Sequence, residues 1–286
     1  MNMISIERDR AVIEGAIINA ARKDLLLFSE LMKPGFIIGR HTRKLAGTLH
    51  AVLLGKITRL LVTMPPRHGK SLLASQLFPC FALGRNPLLE IVQTGYADDI
   101  ALEHSRRGRD LFCSPRMRAI FPEVHHNPAT SGQRIIPAER QAAHEWGTTA
   151  GGRYYAVGVG GGITGRGADI AIIDDPLKNR KEADSALIRN NIWDWYRSTL
   201  YTRLSPRGAI ILVMTRWHED DIAGRILREA RAGGEPWHVL HLPAIDQDGN
   251  ALWPERWPLE KLSEIKRVLG QREWESLYQG HPSPQT

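Results

Sequence analysis

Short and almost continuously apolar segments alternate with helical patterns between about residues 40 and 242. The strand-like segments cover 58–63, 88–94, 169–174, 209–214 and 237–242. Strands that are apolar throughout are buried on both faces, which is typical of a parallel sheet covered by helices. The sequence therefore predicts an α/β fold with a mostly parallel central sheet flanked by helices. Ligands of such sheets bind beyond the carboxyl ends of the strands, so the residues after each strand are the candidates for a site.

Helical patterns fill the intervals between these strands. They cover 71–83, 97–112, 182–204 and 220–232, and an earlier helix is predicted over 7–32, where Pro34 and Gly35 end it. A glycine-rich, β-like region spans about 133–165. With 286 residues the chain is long enough for one large or two small domains. We divide it into an N-terminal helical segment (1–39), a core (40–245) and a small helical lid or linker (246–286).

Composition narrows the class of protein. The two cysteines, Cys80 and Cys113, fit neither a metal-binding spacing nor a disulfide framework, so we expect a reducing, intracellular setting. The N-terminus is charged from Glu7 onward, which argues against a signal peptide, and the apolar run over 72–83 is too short to span a bilayer. No membrane partner is expected. The formal net charge of +7 permits contact with nucleic acid but also fits an ordinary basic protein.

The sequence MPPRHGKS, residues 64–71, follows the first predicted strand and leads into a helix. This is the context of a phosphate-binding loop, in which backbone N–H groups at the helix N-terminus face an anion. Gly69 permits a close approach of the backbone, Lys70 reaches the β- and γ-phosphate oxygens, and Ser71 offers its hydroxyl to Mg²⁺. Met64 replaces the first glycine of the pattern, which changes the entry into the loop. A Gly-Lys-Ser triplet also occurs by chance, so the prediction depends on the flanking strand and helix.

A pair of carboxylates, Asp174 and Asp175, ends the predicted strand DIAIID. Apolar residues followed by acids are typical of the second motif of nucleotide sites. The first carboxylate there holds the Mg²⁺ shell, and the second orients the attacking water. Glutamate is commoner at the second position, and aspartate is one methylene shorter. The alternative is that Asp-Asp-Pro forms a turn that caps the next helix.

Two further segments carry candidate residues. The fourth predicted strand is followed by Thr215 and Arg216, whose hydroxyl and guanidinium suit a sensor of the γ-phosphate; alternatively, Thr215 or His218 is the N-cap of the next helix. The sequence GVGGGITGRGAD, residues 158–169, precedes a strand rather than a helix, so a dinucleotide-binding fold is disfavoured. A glycine loop that presents Arg166 suits charge stabilisation in phosphoryl transfer, although a flexible turn with an exposed arginine has the same pattern.

Together these segments resemble the ATPase domain of the large terminase subunit of tailed bacteriophages, the motor that pumps DNA into procapsids. The matching pieces are MPPRHGKS, GGGITGRGADIAIIDDP, LVMTRWHEDDIAGRIL and WESLYQGHPSPQ, and their order covers roughly residues 35–284. The combination of these segments is specific for this family, whereas no single segment is. The resemblance implies a P-loop NTPase of the additional-strand, catalytic-acid type. It also implies an ATPase that couples hydrolysis of Mg-ATP to translocation of double-stranded DNA.

The resemblance assigns roles to individual residues. Lys70 and Ser71 map to the phosphate loop, Asp174 and Asp175 to the metal and catalytic acids, and Thr215 to the coupling motif. The nucleotide-binding residues implied are Pro66, Arg67, His68, Gly69, Lys70 and Ser71, with Ser71 and Asp174 as the Mg²⁺ ligands.

Family members carry an arginine finger either within the phosphate loop or on a loop offered by the neighbouring subunit. Arg67 fits the first position and Arg166 the second, and the sequence does not choose between them. Contact with adenine is expected near Arg40 and His41, which fit a helix N-terminus with solvated basic residues equally well.

The partners implied are double-stranded DNA, the portal protein and the small terminase subunit, with a homo-oligomeric ring on the portal and the cytoplasm of the bacterial host as the location. Full-length members continue into a nuclease domain. After Asp175 the sequence has no strand-borne trio of carboxylates, since Asp246 and Asp248 lie in a predicted turn. No DNA cleavage is therefore expected of this polypeptide.

Four aromatic residues near the C-terminus, Trp253, Trp257, Trp274 and Tyr278, are predicted to pack within the lid. Stacking on bases is less favoured, because duplex DNA exposes few base faces. Two other functions stay open at this point. One is another nucleic-acid-dependent P-loop ATPase, such as a helicase, and the other is a catalytically weak nucleotide-binding docking subunit.

Overall fold

The structure, a computed structural model, describes residues 3–126, 143–163 and 165–283. Its strands are β1 (Arg59–Thr63), β2 (Glu90–Gly95), β3 (Glu145–Gly147), β4 (Arg153–Gly158), β5 (Ala168–Asp174), β6 (Leu204–Met214) and β7 (His238–His241). They form one seven-stranded sheet in the order β3-β4-β2-β5-β6-β1-β7. Neighbouring strands of this sheet are parallel except β3 and β4, which are antiparallel. The predicted α/β class with a mostly parallel sheet is confirmed.

The strand β6 lies between β1, which leads into the phosphate loop, and β5, which ends in the two acids. It is parallel to both, with Met214 beside Thr63 of β1 and Val213 beside Asp174 of β5. This inserted strand is the feature by which the additional-strand class of P-loop NTPase is defined. Because the carboxyl ends of the three strands meet at one edge of the sheet, the residues that follow them are brought together.

Helices cover both faces of the sheet. They are α1 (Met3–Ala21), α2 (Leu25–Met32), α3 (Arg40–Leu53), α4 (Phe78–Arg85), α5 (Asp98–Phe112), α6 (Pro115–Ile120), α7 (Arg180–Asp184), α8 (Ala186–Trp195), α9 (Ile222–Arg231) and α10 (Leu259–Glu273). Segments of π-helix cover Leu72–Leu77, Tyr196–Leu200 and Trp274–Tyr278, and Tyr201–Arg203 is a 3₁₀ turn. Gly270, with a φ of 75°, interrupts α10 near its end.

Two predicted helices are wrong in their extent. Asp24 divides the predicted helix 7–32, because its carboxylate accepts hydrogen bonds from two backbone N–H groups in the first turn of α2. The predicted helix 182–204 is divided in the same way at Ser185, whose side chain caps α8. Short polar side chains compete for backbone N–H groups, so hydrophobic periodicity does not reveal these breaks.

Alternate residues of the inner strands supply two hydrophobic cores. Leu60 and Val62 of β1 face the core formed with α2 to α5, whereas Leu61 faces the core formed with α8 and α9. In β6, Ile211 faces the first of these cores and Ile210 faces the second. Burial of each such side chain contributes about 1.5–3 kcal/mol. The need to fill both cores explains why these strands are almost continuously apolar.

A small third core surrounds Trp274, which is buried with Ala244, Ala251 and Leu262. The rings of Trp274 and Tyr278 stack, with centroids 5.0 Å apart and planes 8° from parallel. These aromatic side chains therefore pack against protein. No helix in the described part of the chain has the length and apolar content that a bilayer crossing requires. Of the β-like region predicted over 133–165, residues 133–142 and residue 164 lie outside the described residues, and the remainder holds β3 and β4.

Candidate functional site

The phosphate loop joins β1 to the helix that follows it, and its backbone turns sharply. Arg67 has a φ of 63° and Gly69 a φ of 86°. The left-handed conformation costs a non-glycine residue about 1–2 kcal/mol, so Arg67 needs support from its surroundings. The ring of His68 supplies some of it, because its Nδ1 lies 2.9 Å from the carbonyl oxygen of Pro66. Met64 is buried in the core at the start of the loop.

Lys70, Ser71, Asp174 and Asp175 meet at the carboxyl edge of the sheet. Lys70 Nζ lies 2.7 Å from Asp175 Oδ2, and Ser71 Oγ donates a hydrogen bond of 3.1 Å to Asp174 Oδ1. The side chain of Lys70 is 8% exposed and that of Asp175 is 29% exposed, while Asp174 is buried. The structure thus brings the predicted phosphate-binding and acidic residues together at this edge, where Asp174 is buried and Asp175 is partly exposed.

Burial and opposite charge set the protonation of this group. Burial alone would lower the pKa of Lys70, but the charges of Asp175 and Asp174 outweigh it, and the pKa is raised above its ordinary value. The ammonium is therefore charged at neutral pH. Burial, reinforced by the charge of Asp175, raises the pKa of Asp174. A cation beside these carboxylates relieves their repulsion.

Two residues that no sequence pattern singled out complete the surroundings of Asp174. Ser75, one helical turn after Ser71, donates a hydrogen bond of 2.7 Å from Oγ to Asp174 Oδ2. His104 of α5 places Nδ1 3.4 Å from the same oxygen. The i,i+4 spacing of the two serines is visible in the sequence once the helix is placed. His104 reaches Asp174 because β2 pairs with β5, which no local pattern shows.

Thr215 connects the phosphate loop with the second acid. Its backbone N–H donates a hydrogen bond of 2.7 Å to Asp175 Oδ1, and its hydroxyl donates one of 3.3 Å to the carbonyl oxygen of Met64. Asp175 has a left-handed φ of 43°, and its own N–H bonds to the carbonyl oxygen of Val213 over 3.0 Å. Asn179, rather than Asp175, caps the helix after the acids, so the reading of Asp-Asp-Pro as a cap is wrong.

The side-chain oxygens of Ser71 and Asp174 are of the kind that a magnesium ion prefers. Mg²⁺ is commonly held by one or two protein side chains, while phosphate oxygens and water complete its octahedron. Their separation of 3.1 Å allows both oxygens to face one ion, since ligands of one octahedron lie about that far apart. Within residues 3–126, 143–163 and 165–283, no group of three or more histidine, cysteine, aspartate or glutamate side chains is placed to hold a metal ion.

Comparison with known proteins identifies the family. Residues 61–277 match the family of N-terminal regions of the terminase large subunit, T4likevirus-type. The matched range includes the phosphate loop and both acids. The chain belongs to this terminase family. No curated protein matches the chain.

Solved terminase structures share the fold of this terminase region. The ATPase domain of the Thermus phage P74-26 large terminase has a TM-score of 0.57 at 17% identity, with 90% of this chain and 97% of that chain covered. A mutant of the same domain gives 0.58 at 17% identity, with 90% and 98% covered. The large terminase of bacteriophage HK97 gives 0.51 at 14% identity, with 94% of this chain and 55% of that chain covered. The predicted fold is confirmed by these matches.

The two candidate arginine fingers of the terminase lie in different settings. Arg67 is part of the phosphate loop, and its carbonyl oxygen accepts a hydrogen bond of 3.4 Å from Trp257 Nε1. Arg166 pairs through Nη2 with Glu145 Oε2 at 3.0 Å, and its guanidinium lies 4.0 Å from the centroid of the Tyr155 ring. Arg166 thus contacts β3 and β4, on the opposite side of β2 from the phosphate loop.

Buried rings join the phosphate loop to α3 and to the segment before α10. His68 is buried and stacks on Trp257 with centroids 5.8 Å apart, and it lies 6.4 Å from both His41 and Trp253. Burial lowers the pKa of His68 to about 4, so the ring is neutral. His41 is fully buried, and only Arg40 is exposed, so the reading of both as solvated residues is wrong for His41. A cavity of about 340 Å³ adjoins these two residues.

The C-terminal helical segment, residues 259–278, contacts the loop after β6 at Arg216 and Trp217. Ser276 Oγ lies 3.0 Å from the carbonyl oxygen of Arg216 and 3.1 Å from that of Trp217. Arg180 donates to both carboxylate oxygens of Glu273 over 2.8 Å and also to the carbonyl oxygen of Trp217. The loop therefore contacts the acids at one end and the residues that follow α10 at the other.

The helix after this loop begins differently from the prediction. Asp221 is the N-cap of α9, and its Oδ1 accepts a hydrogen bond of 2.9 Å from the N–H of Gly224. The same carboxylate pairs with Arg216 at 2.9 Å. The alternative that Thr215 or His218 caps the helix is therefore wrong.

Proposed function

We propose that this protein is the ATPase motor of viral DNA packaging, which couples hydrolysis of Mg-ATP to translocation of double-stranded DNA into a procapsid. The convergence of Lys70 and Ser71 with Asp174 and Asp175 supports it most directly. The family supports the biological setting, because the chain belongs to the N-terminal regions of terminase large subunits.

The phosphate loop is proposed to bind the nucleotide through the backbone from Pro66 to Ser71. Lys70 neutralises charge on the β- and γ-phosphates, and Ser71 and Asp174 hold the magnesium ion. When bound, Mg²⁺ neutralises charge on the phosphate oxygens that it contacts. The left-handed turns at Arg67 and Gly69 allow successive backbone N–H groups to face one anion.

Asp175 is proposed to orient the attacking water. Phosphate oxygens compete with Asp175 for the ammonium of Lys70, so a triphosphate releases Oδ2 of this partly exposed carboxylate. The released oxygen accepts a hydrogen bond from a water in line with the γ-phosphate. Oδ1 stays bonded to the N–H of Thr215, so a shift of the carboxylate moves the loop after β6. This loop is the proposed route from hydrolysis to motion.

Either Arg67 or Arg166 is proposed to stabilise the charge of the transition state. Arg67 would act within its own subunit, and Arg166 would act on the site of a neighbour in a ring. The cavity beside Arg40 and His41 is the proposed place for adenine.

DNA, the portal protein and the small terminase subunit are the proposed partners, in the cytoplasm of the bacterial host. The net charge of +7 supports contact with DNA phosphates. Such contact is sensitive to salt and indifferent to base sequence. The division into residues 1–39, 40–245 and 246–286 is proposed as the organisation of this motor.

The test measures the ATPase rate against protein concentration, with and without linear duplex DNA. If Arg166 is the finger, we expect a steep rise with concentration, because a neighbouring subunit then completes the site. A further rise with DNA is expected with either finger. Tight ATP binding without phosphate release at high protein concentration would instead support a docking subunit. Strand displacement by the pure protein would support a helicase.

A further inference from the structure

His104 lies beside the Asp174 carboxylate and has no role in the mechanism proposed above. It belongs to α5, which follows β2, and Gly95 at the end of β2 lies beside Asp174 of β5 in the sheet. The side chain of His104 is 14% exposed, and its Nδ1 lies 3.4 Å from Asp174 Oδ2. This nitrogen is buried and makes no hydrogen bond of ordinary geometry within the described part of the chain. A buried polar atom in this condition calls for an explanation.

The two oxygens of Asp174 have different neighbours. Oδ2 accepts the hydrogen bond of 2.7 Å from Ser75, which is fully buried, and faces His104. Oδ1 accepts the hydrogen bond from Ser71. The carboxylate is therefore held from behind by Ser75 and His104, and it presents its other oxygen to the hydroxyl of the phosphate loop. A partial rotation of the carboxylate about its Cβ–Cγ bond would move both oxygens away from these neighbours.

We propose that His104 is a positioning residue which, together with Ser75, fixes the orientation of Asp174 and so strengthens magnesium-dependent nucleotide binding. The inference rests on the proposed function. In the tautomer with the proton on Nδ1, the imidazole donates toward Oδ2. A contact of 3.4 Å is longer than an ordinary hydrogen bond, and such contacts commonly shorten when ligand binds. Groups that hydrogen-bond a metal-ligating side chain typically change metal affinity about 10- to 100-fold.

The competing explanation is that His104 only fills space. A packing role predicts that an apolar residue of similar size preserves nucleotide binding with and without metal. A positioning role predicts that nucleotide affinity falls when metal is present and is unchanged when metal is absent. Asparagine distinguishes the two, because its amide N–H lies near the place of Nδ1 while its volume is smaller than that of histidine.

The experiment compares wild type with His104→Leu, His104→Asn and Ser75→Ala. ADP affinity is measured in Mg²⁺ and again in EDTA, and bound Mn²⁺ is measured by electron paramagnetic resonance in the presence of ADP. Arg106→Gln, an exposed residue of the same helix, is the matched control. Thermal unfolding verifies that each variant is folded.

We expect His104→Leu to weaken binding in Mg²⁺ about tenfold and to leave the affinity in EDTA unchanged. His104→Asn should recover most of the loss, Ser75→Ala should behave like His104→Leu, and Arg106→Gln should match wild type. If His104→Leu does not fold, His104→Asn, Ser75→Ala and the variant with both changes are compared instead. The loss of ADP affinity in Mg²⁺ should then be smaller in the double variant than the sum of the losses in the two single variants.

Equal affinity of wild type and His104→Leu in Mg²⁺ would overturn the inference. So would an equal loss in Mg²⁺ and EDTA, or an asparagine variant no better than leucine. Failure of wild type to bind ADP at all would refute the proposed function, and the inference with it. Normal wild-type binding with an unaffected His104→Leu would refute the inference alone.

Discussion

Met64 stands where the phosphate-loop pattern has its first glycine, and both of its main-chain polar groups are fixed. Its N–H bonds to the carbonyl oxygen of Met214 over 3.2 Å, and its own carbonyl oxygen accepts the hydroxyl of Thr215 over 3.3 Å. The left-handed turns lie later in the loop, at Arg67 and Gly69. The loop therefore begins as an extension of the sheet, and glycine is needed only beside the lysine.

Replacement of Lys70 by alanine is expected to lower ATP turnover by a factor of about 10²–10³ or more while the fold is kept. The ammonium is almost fully buried against Asp175, so no solvent cation replaces it at the phosphates. Phosphate release and thermal unfolding are the measurements. Lys181→Ala, which removes an exposed lysine of α7, is the control and should leave turnover unchanged. Normal turnover in Lys70→Ala would refute the site.

We expect His68 to lower the free energy of unfolding as the pH falls below 6.5. Burial, followed by the nearby charges of His41 and Lys70, lowers its pKa from 6.5 to about 4. Between these values the unfolded chain binds a proton that the folded chain does not, so stability falls as the pH drops from 6.5 to about 4. The full effect is about 3 kcal/mol.

Denaturant unfolding at several pH values, together with NMR titration of the ring, measures this effect. His68→Phe keeps an aromatic ring against Trp257 but has no titrating group, so its stability should depend less on pH in this window. A His68 resonance that titrates near pH 6.5 would contradict the prediction.

Among the elements, the strands that are apolar on both faces are the ones that the sequence predicts best. The segments predicted at 58–63 and 169–174 correspond to β1 and β5. The segment predicted at 209–214 is only the end of β6, which begins at Leu204. The first residues of β6 are largely polar or exposed, and they belong to the strand because Leu204 pairs with Ala168 across a register shift. That pairing is long-range, so local periodicity does not reveal it.

The pair of Arg180 and Glu273 is expected to hold the C-terminal segment on the loop after β6. The contact is bidentate and both side chains are partly buried, so a double-mutant cycle with Arg180→Ala and Glu273→Ala should give a coupling of about 1 kcal/mol. Lys261 and Glu264, an ion pair whose side chains are 56% and 52% exposed, form the control, with little coupling expected. Equal coupling in the two cycles, measured by denaturant unfolding, would contradict this role.

Across the whole molecule, the sequence predicts which residues lie at the carboxyl end of a strand. It does not predict contacts that depend on the order of the strands in the sheet. Lys70 follows β1 and Asp174 is the last residue of β5, and their meeting requires only that the two strands are parallel. The contact of His104 with Asp174 depends on β2 lying beside β5. The pairing of Arg166 with Glu145 depends on β3, a strand of only three residues with too little periodicity to detect.

The identity of the proposed arginine finger, Arg67 or Arg166, determines whether one subunit can complete a catalytic site alone. If Arg166 acts on the neighbour, Lys70→Ala and Arg166→Ala are each inactive, but a mixture should regain turnover. At some interfaces of a mixed ring, a subunit with an intact phosphate loop lies next to one with an intact Arg166. Lys70→Ala mixed with Arg67→Ala is the control, because both changes damage the same loop and the mixture should stay inactive if Arg67 acts within its own site. ATPase rates of the mixtures are compared with the summed rates of the separate variants. No recovery, at a protein concentration where wild type is fully active, would exclude Arg166 as the finger and assign that role to Arg67.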